Sequence, residues 1–248
     1  MKRLALILVL PVLAGCGARQ TPSVSHVLGA RVQHCTDGEL LPLGSRRLAY
    51  VGVATHGAVA YGRPGGAVRA RFGAKNLNDY PTVFGVLGAV VRRDCTPRWY
   101  RVQLPIKPNG VTGFVRAHAL ELQTVGVRIV VDVSDRRLTL FRDGRSELTA
   151  TVAVGSPSTP TPTGRFYVNQ RLVPTDRGGP FGPGAVGISA FSNVLTGWTQ
   201  GGPVAIHGTN EPWSIGHAVS NGCVRLPNAA LEKVFREAVA GTPVIIKA

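Results

Sequence analysis

Glycine and proline interrupt this chain so often that long helices have nowhere to form. Short apolar runs, "RRLAYVGVA", "GAVAYGRPGGAVRARF", "PTVFGVLGAVV", "RWYRVQLP" and "TGFVRAHAL", follow one another between residues 31 and 122, each closed by a turn signal. The pattern resumes near Val125. Val127–Val133 is largely apolar, Arg137–Arg142 alternates, and Asp143-Gly144 reads as a hairpin turn leading into Thr149–Val154. Gly164–Val168, "PVAIHG" and "TPVIIKA" add further short strands. With 31 Gly, 18 Pro and few acidic helix formers in 248 residues, the chain is expected to be mainly β. One segment escapes the rule. In "PNAALEKVFREAV", Pro227–Val239, the residues Ala230, Leu231, Val234, Phe235, Ala238 and Val239 recur at helical spacing. Asn228 is placed to cap its start, and Gly241 lies just past its end.

Hydrophobic residues make up 44% of the chain, enough for the cores of one or two domains. Two β-rich blocks are expected, residues 31–123 and 124–248. In the first, Pro108-Asn109-Gly110 is a turn signal in its own right, because Asn and Gly tolerate positive φ. The surrounding "WYRVQLPIKPNGVTGFVRAHALEL", Trp99–Leu122, resembles the last strands of a bacterial SH3-like small barrel. That resemblance implies either a wall-peptide binder or a passive spacer. In the second block, residues 171–200 read as a Gly-rich irregular stretch, long enough to be a functional loop and a candidate gate.

The chain opens MKRLALILVLPVLAGCG. Lys2 and Arg3 precede an apolar stretch, Leu4–Leu13, that is too short to span a membrane, where about 20 residues are needed. Leu13-Ala14-Gly15-Cys16 resembles the lipobox of bacterial lipoproteins, which implies a signal peptide over residues 1–15, acylation of Cys16, and a membrane anchor. Residues 16–30 then form a tether. The expected location is outside the cytoplasmic membrane, facing the cell wall. The net charge is +15, from which processing subtracts only Lys2 and Arg3. Lipid headgroups and anionic wall polymers are the matching polyanions. Nucleic acid is not expected as a partner, because the arginines are scattered and the chain is exported. A monomer is expected.

Four cysteines remain to be assigned. Cys35 and Cys95 bracket the first block and are expected to pair in an oxidising compartment if Cys16 is lipidated. Cys223 is left over, and a leftover cysteine in an exported chain suggests a reactive thiol or an intermolecular bond. A nucleophilic thiol needs a base and backbone donors for an oxyanion. His207, at the end of the "PVAIH" strand, could be the base and would favour thiolate. Gly222, lacking a side chain, lets its backbone approach a substrate closely. These residues alone leave an inert thiol open as an alternative. A zinc site from His207, His217 and Cys223 matches no zinc spacing, so no metal is expected. His217 reads as an exposed loop residue, and Trp198 and Trp213 as packing residues near the cleft. Asp132, Asp135 and Asp176 lack the pairing that a carboxylate mechanism needs.

"HGTNEPWSIGHAVSNGCVRLPN", His207–Asn228, closely resembles the active-site signature of the YkuD-type L,D-transpeptidases. "VDVSDRRLTLFRDGR", "VAVGSPSTPTPTGRFYV" and "GISAFS" extend the resemblance over about residues 126–248. It implies a YkuD-type β-rich catalytic domain with one main C-terminal helix, following the SH3-like unit. Carried over, it makes Cys223 the nucleophile, His207 its base, and the Gly208 carbonyl the group that orients the imidazole. The N–H groups of Gly222 and Cys223 would form the oxyanion hole. Ser220, Asn221 and Arg225 occupy substrate-binding positions, with Arg225 suited to a stem carboxylate. Many members carry His where this chain has Asn221, so an auxiliary proton role there is absent. The implied substrates are peptidoglycan stem peptides, the implied inhibitors carbapenems, and no cofactor is implied. An L,D-carboxypeptidase and a non-catalytic wall-binding lipoprotein are the alternatives.

Overall fold

A computed structural model describes residues 34–248. The expected signal peptide, the tether and Cys16 lie outside the described residues. The chain builds two sheets in succession and changes from one to the other at Gly126.

The first sheet contains β1 (Leu40–Pro42), β2 (Ala49–Val53), β3 (Ala58–Tyr61), β4 (Val68–Phe72), β5 (Val83–Val91), β6 (Pro97–Gln103), β7 (Thr112–Arg116) and β8 (Glu121–Val125). Its order is β4-β3-β7-β6-β5-β2-β8, and β1 also pairs with β5. All its pairings are antiparallel. β5 reads VFGVLGAVV and is buried along nearly its whole length, as its unbroken apolar sequence requires. Cys35 and Cys95 form a disulfide across this unit.

The second sheet is built from β9 (Val127–Asp132), β10 (Arg137–Arg142), β11 (Arg145–Thr151), β13 (Gly164–Leu172), β14 (Ala185–Phe191), β15 (Pro203–His207), β17 (Val224–Arg225) and β18 (Pro243–Lys247). Its order is β11-β10-β9-β18-β13-β14-β15-β17. A separate parallel pair joins β12 (Val154–Gly155) to β16 (Ala218–Ser220). Asp143 and Gly144 take φ of 51° and 84°, the paired positive angles of a two-residue hairpin turn, between β10 and β11. Helix α1 (Asn228–Glu237) buries Leu231 and Val234 on the core side.

Two sequence expectations need correction, and a third residue read as a turn has a second role. Residues 171–200 are not one irregular loop, because "AVGISAF" becomes the almost wholly buried β14 and splits the stretch into two shorter loops. Asn228 does not cap α1. Its Oδ1 accepts the N–H of Thr209, at 2.8 Å, and so ties the helix start to the chain just past His207. Pro108-Asn109-Gly110 does turn, with Gly110 at φ 85°, but Asn109 also docks the first unit on the second. Its Nδ2 donates to the Phe191 carbonyl at 2.7 Å, and its Oδ1 accepts the Phe191 N–H at 2.9 Å.

The two units share more than this pair. The Tyr167 hydroxyl donates to the Val83 carbonyl at 2.9 Å, and the Gln103 amide donates to the Arg165 carbonyl at 2.7 Å. Val51 and Val83 of the first unit belong to the same apolar core as Ile129, Phe166 and Ile246. Gly241 makes this close approach possible, since a Cβ there would sit 2.3 Å from Val51 Cβ.

Candidate active site

Strand alternation sets the site. β15 and β17 run parallel, with Ile206 opposite Val224 and His207 opposite Arg225. Ile206 and Val224 are fully buried in the core. Their neighbours Ala205, His207, Cys223 and Arg225 therefore turn to the opposite face. The Ala205 N–H donates to Cys223 Sγ at 3.4 Å, which fixes the sulfur beside the strand.

His207 is buried and held from several sides. Its Nδ1 lies 2.6 Å from the Gly208 carbonyl oxygen. A carbonyl only accepts, so Nδ1 carries the proton, and Nε2 of the neutral ring keeps its lone pair. The Phe181 ring meets the imidazole edge-on, with centroids 4.9 Å apart. Burial pushes the His207 pKa down to about 4; the Gly208 bond opposes this shift and the Arg225 charge adds to it. Burial also raises the pKa of the Cys223 thiol, against smaller lowering effects from the Ala205 N–H and Arg225.

The expectation that histidine holds the cysteine as thiolate is therefore corrected. Desolvation penalises both charged forms, so thiol and imidazole are neutral at pH 7. Thiol and ring are then not a preformed ion pair.

The turn before Cys223 is tied at both ends. The Ser220 hydroxyl donates to the Cys223 carbonyl at 2.6 Å, and its oxygen accepts the Gly222 N–H at 3.2 Å. Gly222 has φ 105°, a conformation that only glycine takes without strain. Ser220 occupies the Gly222 N–H, so of the two N–H groups expected to serve as oxyanion donors, that of Gly222 is already bonded. Asn221 is exposed. Arg225 does not stand free to meet a carboxylate: its guanidinium is paired closely with Glu211, and its buried Nε has no partner among the described residues.

Cys223 opens on a cavity of about 680 Å³ whose walls include Ala205, Phe181, Trp198, Ile188 and Asn78. Trp198 and Trp213 are 54% and 64% exposed, so neither is a packing residue, and Trp198 forms part of the cavity wall. His217 is exposed. Asp132 is held ionised by Lys247 and by bonds from the Asp135 N–H and Ser134, a structural role. Among the described residues, no three of His, Cys, Asp and Glu gather as a metal-binding group.

The family profile described as the YkuD L,D-transpeptidase catalytic domain matches residues 126–246. A Bacillus subtilis protein named as the L,D-transpeptidase YkuD is 38% identical over 123 residues, which are 50% of this chain and 67% of that protein. The chain belongs to the YkuD family. A YkuD protein from Bacillus licheniformis is 37% identical over the same shares. A crystal structure of an L,D-transpeptidase from Mycobacterium tuberculosis aligns with a TM-score of 0.42 and 22% identity, over 55% of this chain and 65% of that one.

Several residues of this YkuD-family site went unread in the sequence. Thr159 Oγ1 and the Ser156 N–H both donate to the Ser220 carbonyl, at 2.9 Å each, so the "SPSTPTPTG" segment buttresses the cysteine turn. Thr161 Oγ1 accepts the Gly155 N–H at 2.8 Å and folds that segment on itself. Glu211 and Phe181 sit in loops with no periodic pattern. Only an unpaired acid four residues after a candidate base, or a lone aromatic in a Gly-Pro stretch, could have marked them.

Proposed function

We propose that this chain is a peptidoglycan L,D-transpeptidase that works through a cysteine thioester. The observation that carries the reading is the neutral His207 ring. It is buried, its Nδ1 proton is fixed on Gly208, and it lies on the same strand face as a thiol that opens on a cavity. A general base of this kind needs no stored charge, only a free Nε2 and a substrate that brings the proton transfer into line.

In the first half-reaction Cys223 Sγ attacks the carbonyl of the third residue of a tetrapeptide stem, and its proton passes to His207 Nε2. The oxyanion is met by the Cys223 N–H. As the C–N bond breaks, the imidazolium returns the proton to the departing D-Ala amine, leaving a thioester on Cys223. In the second half-reaction a side-chain amine of a neighbouring stem attacks the thioester and His207 takes the amine proton. The C–S bond then breaks, and the proton goes back to sulfur. If water attacks in place of the amine, the product is a trimmed tripeptide and the activity is that of a carboxypeptidase. Acylation of Cys16 would hold the enzyme at the membrane facing this substrate, and the first unit would act as spacer or wall contact.

A carbapenem offers a strained carbonyl to the same thiol, which makes it the simplest test. Intact mass after carbapenem exposure is expected to rise by one drug molecule on the native chain and to stay unchanged on Cys223→Ala. No adduct on the native chain would overturn the acyltransferase reading in favour of a non-catalytic wall-binding protein.

A further inference from the structure

The cavity at Cys223 does not end at the second unit. It continues into a further pocket of about 350 Å³, with which it shares Asn78, Gln170, Ile188, Gln200 and Pro203. The far wall of that pocket comes from the first unit, from β4 and the segment after it. Hydrogen bonds tie this wall to the second unit. Asn76 and Asn78 each donate to Gln170 Oε1 at 3.0 Å, and Gln200 donates to Asn78 Oδ1 at 3.0 Å. Within the segment, the Thr82 N–H donates to the Ala74 carbonyl at 2.8 Å.

The chemistry of this pocket is unlike that at the sulfur. Arg71 and Lys75 line it. Arg71 has no carboxylate partner among the described residues, and Lys75 meets only Asp79 in an exposed pair, which neutralises little. A ligand that meets both cations carries a carboxylate, and a peptide C-terminus supplies one.

We infer that this inter-unit pocket is the seat of the acyl acceptor, a peptide whose free carboxylate is held by Arg71 and Lys75 while its amine reaches the thioester. The inference rests on the transpeptidase reading. In that reaction two peptides use one thiol in turn, and the acceptor must enter while the acyl chain still fills the cavity beside Cys223. The pocket adjoins that cavity across Asn78 and Gln200, and it lies outside the cavity at the sulfur. The first unit is then a working wall of the site.

The test is a calorimetric titration of the full chain, with Cys223→Ala to prevent turnover. Two ligands are compared: a stem-type tetrapeptide with a free side-chain amine and a free C-terminus, and the same peptide as its C-terminal amide. The free acid is expected to bind about tenfold more tightly, the scale of a charge-assisted hydrogen bond. Arg71→Glu with Lys75→Glu, both at exposed positions that tolerate charge change, is expected to erase the difference. Equal binding of the two peptides, or a preference that survives the double variant, would overturn the proposal. Native chain acylated by carbapenem is expected to keep the preference, and its loss there would assign the pocket to the donor and overturn the acceptor role. Failure of the carbapenem to form any adduct would remove the transpeptidase reading, while the titration would still decide whether the pocket takes a carboxylate.

Discussion

At the scale of single residues, burial governs the chemistry. It drives the His207 pKa down to about 4 and raises that of Cys223, so in the proposed reaction proton transfer from sulfur waits for the substrate. The acid limb of kcat/KM is therefore expected near pH 4, well below the 6.5 of a free imidazole, and a pH profile of the acylation rate would check it. Stability follows the same sign. Between about pH 6.5 and 4 the unfolded chain binds a proton that the folded chain refuses, so this contribution is present above that window and lost as pH falls through it. It amounts to something on the order of 3 kcal/mol, and His207→Gln is expected to flatten that part of a denaturation-versus-pH curve. Glu211→Ala would leave the Arg225 guanidinium partly buried and unpaired, with an expected loss of about 1–3 kcal/mol in a denaturant titration. Cys223 and His207 could be singled out in the sequence as candidates because their residue types are scarce and their chemistry is particular. Glu211 was not, because its role depends on how the loop after Thr209 folds back.

At the scale of elements, alternation told most of the story. β10 was expected at Arg137–Arg142 and lies there, because a strand with one wet face writes its period directly into the sequence. β14 was reached only through the family resemblance of "GISAFS", not through alternation. Its Gly, Ser and Ala residues carry little apolar signal, although it is almost wholly buried and its Ala185, Gly187 and Ile188 line the cavity at Cys223. The cap of α1 was misread for a related reason, since Asn228 answers a tertiary partner, Thr209, instead of its own helix. The turn carrying Cys223 depends on Ser220 in the same way. Ser220→Ala would leave the Gly222 N–H and the Cys223 carbonyl without their partner, with an expected loss of about 1–3 kcal/mol and a slower carbapenem acylation rate. Wild-type acylation kinetics in that variant would show that the turn needs no such tie.

At the scale of the whole molecule, the first sheet keeps a core of its own and lends Val51 and Val83 to the core of the second. Tyr167 is fully buried and spends its hydroxyl on Val83 of the other unit, so Tyr167→Phe is expected to cost about 1–3 kcal/mol by stranding that carbonyl. The Cys35–Cys95 bridge spans 60 residues, and its removal is expected to cost about 4 kcal/mol in the chain-entropy account, visible in a denaturant midpoint. How the units dock was not written in either half of the sequence. Asn109 looked like a turn residue and Gly241 like a helix stop, yet each meets the opposite unit. The central claim is that Cys223 accepts a stem-peptide acyl group with His207 as its base. Mass spectrometry of the full chain mixed with a disaccharide tetrapeptide tests it most directly. A thioester mapped to Cys223, with D-Ala released in equal amount and a third-to-third-residue cross-link formed later, is the predicted result. Release of D-Ala by Cys223→Ala at the native rate, or none from the native chain, would contradict it.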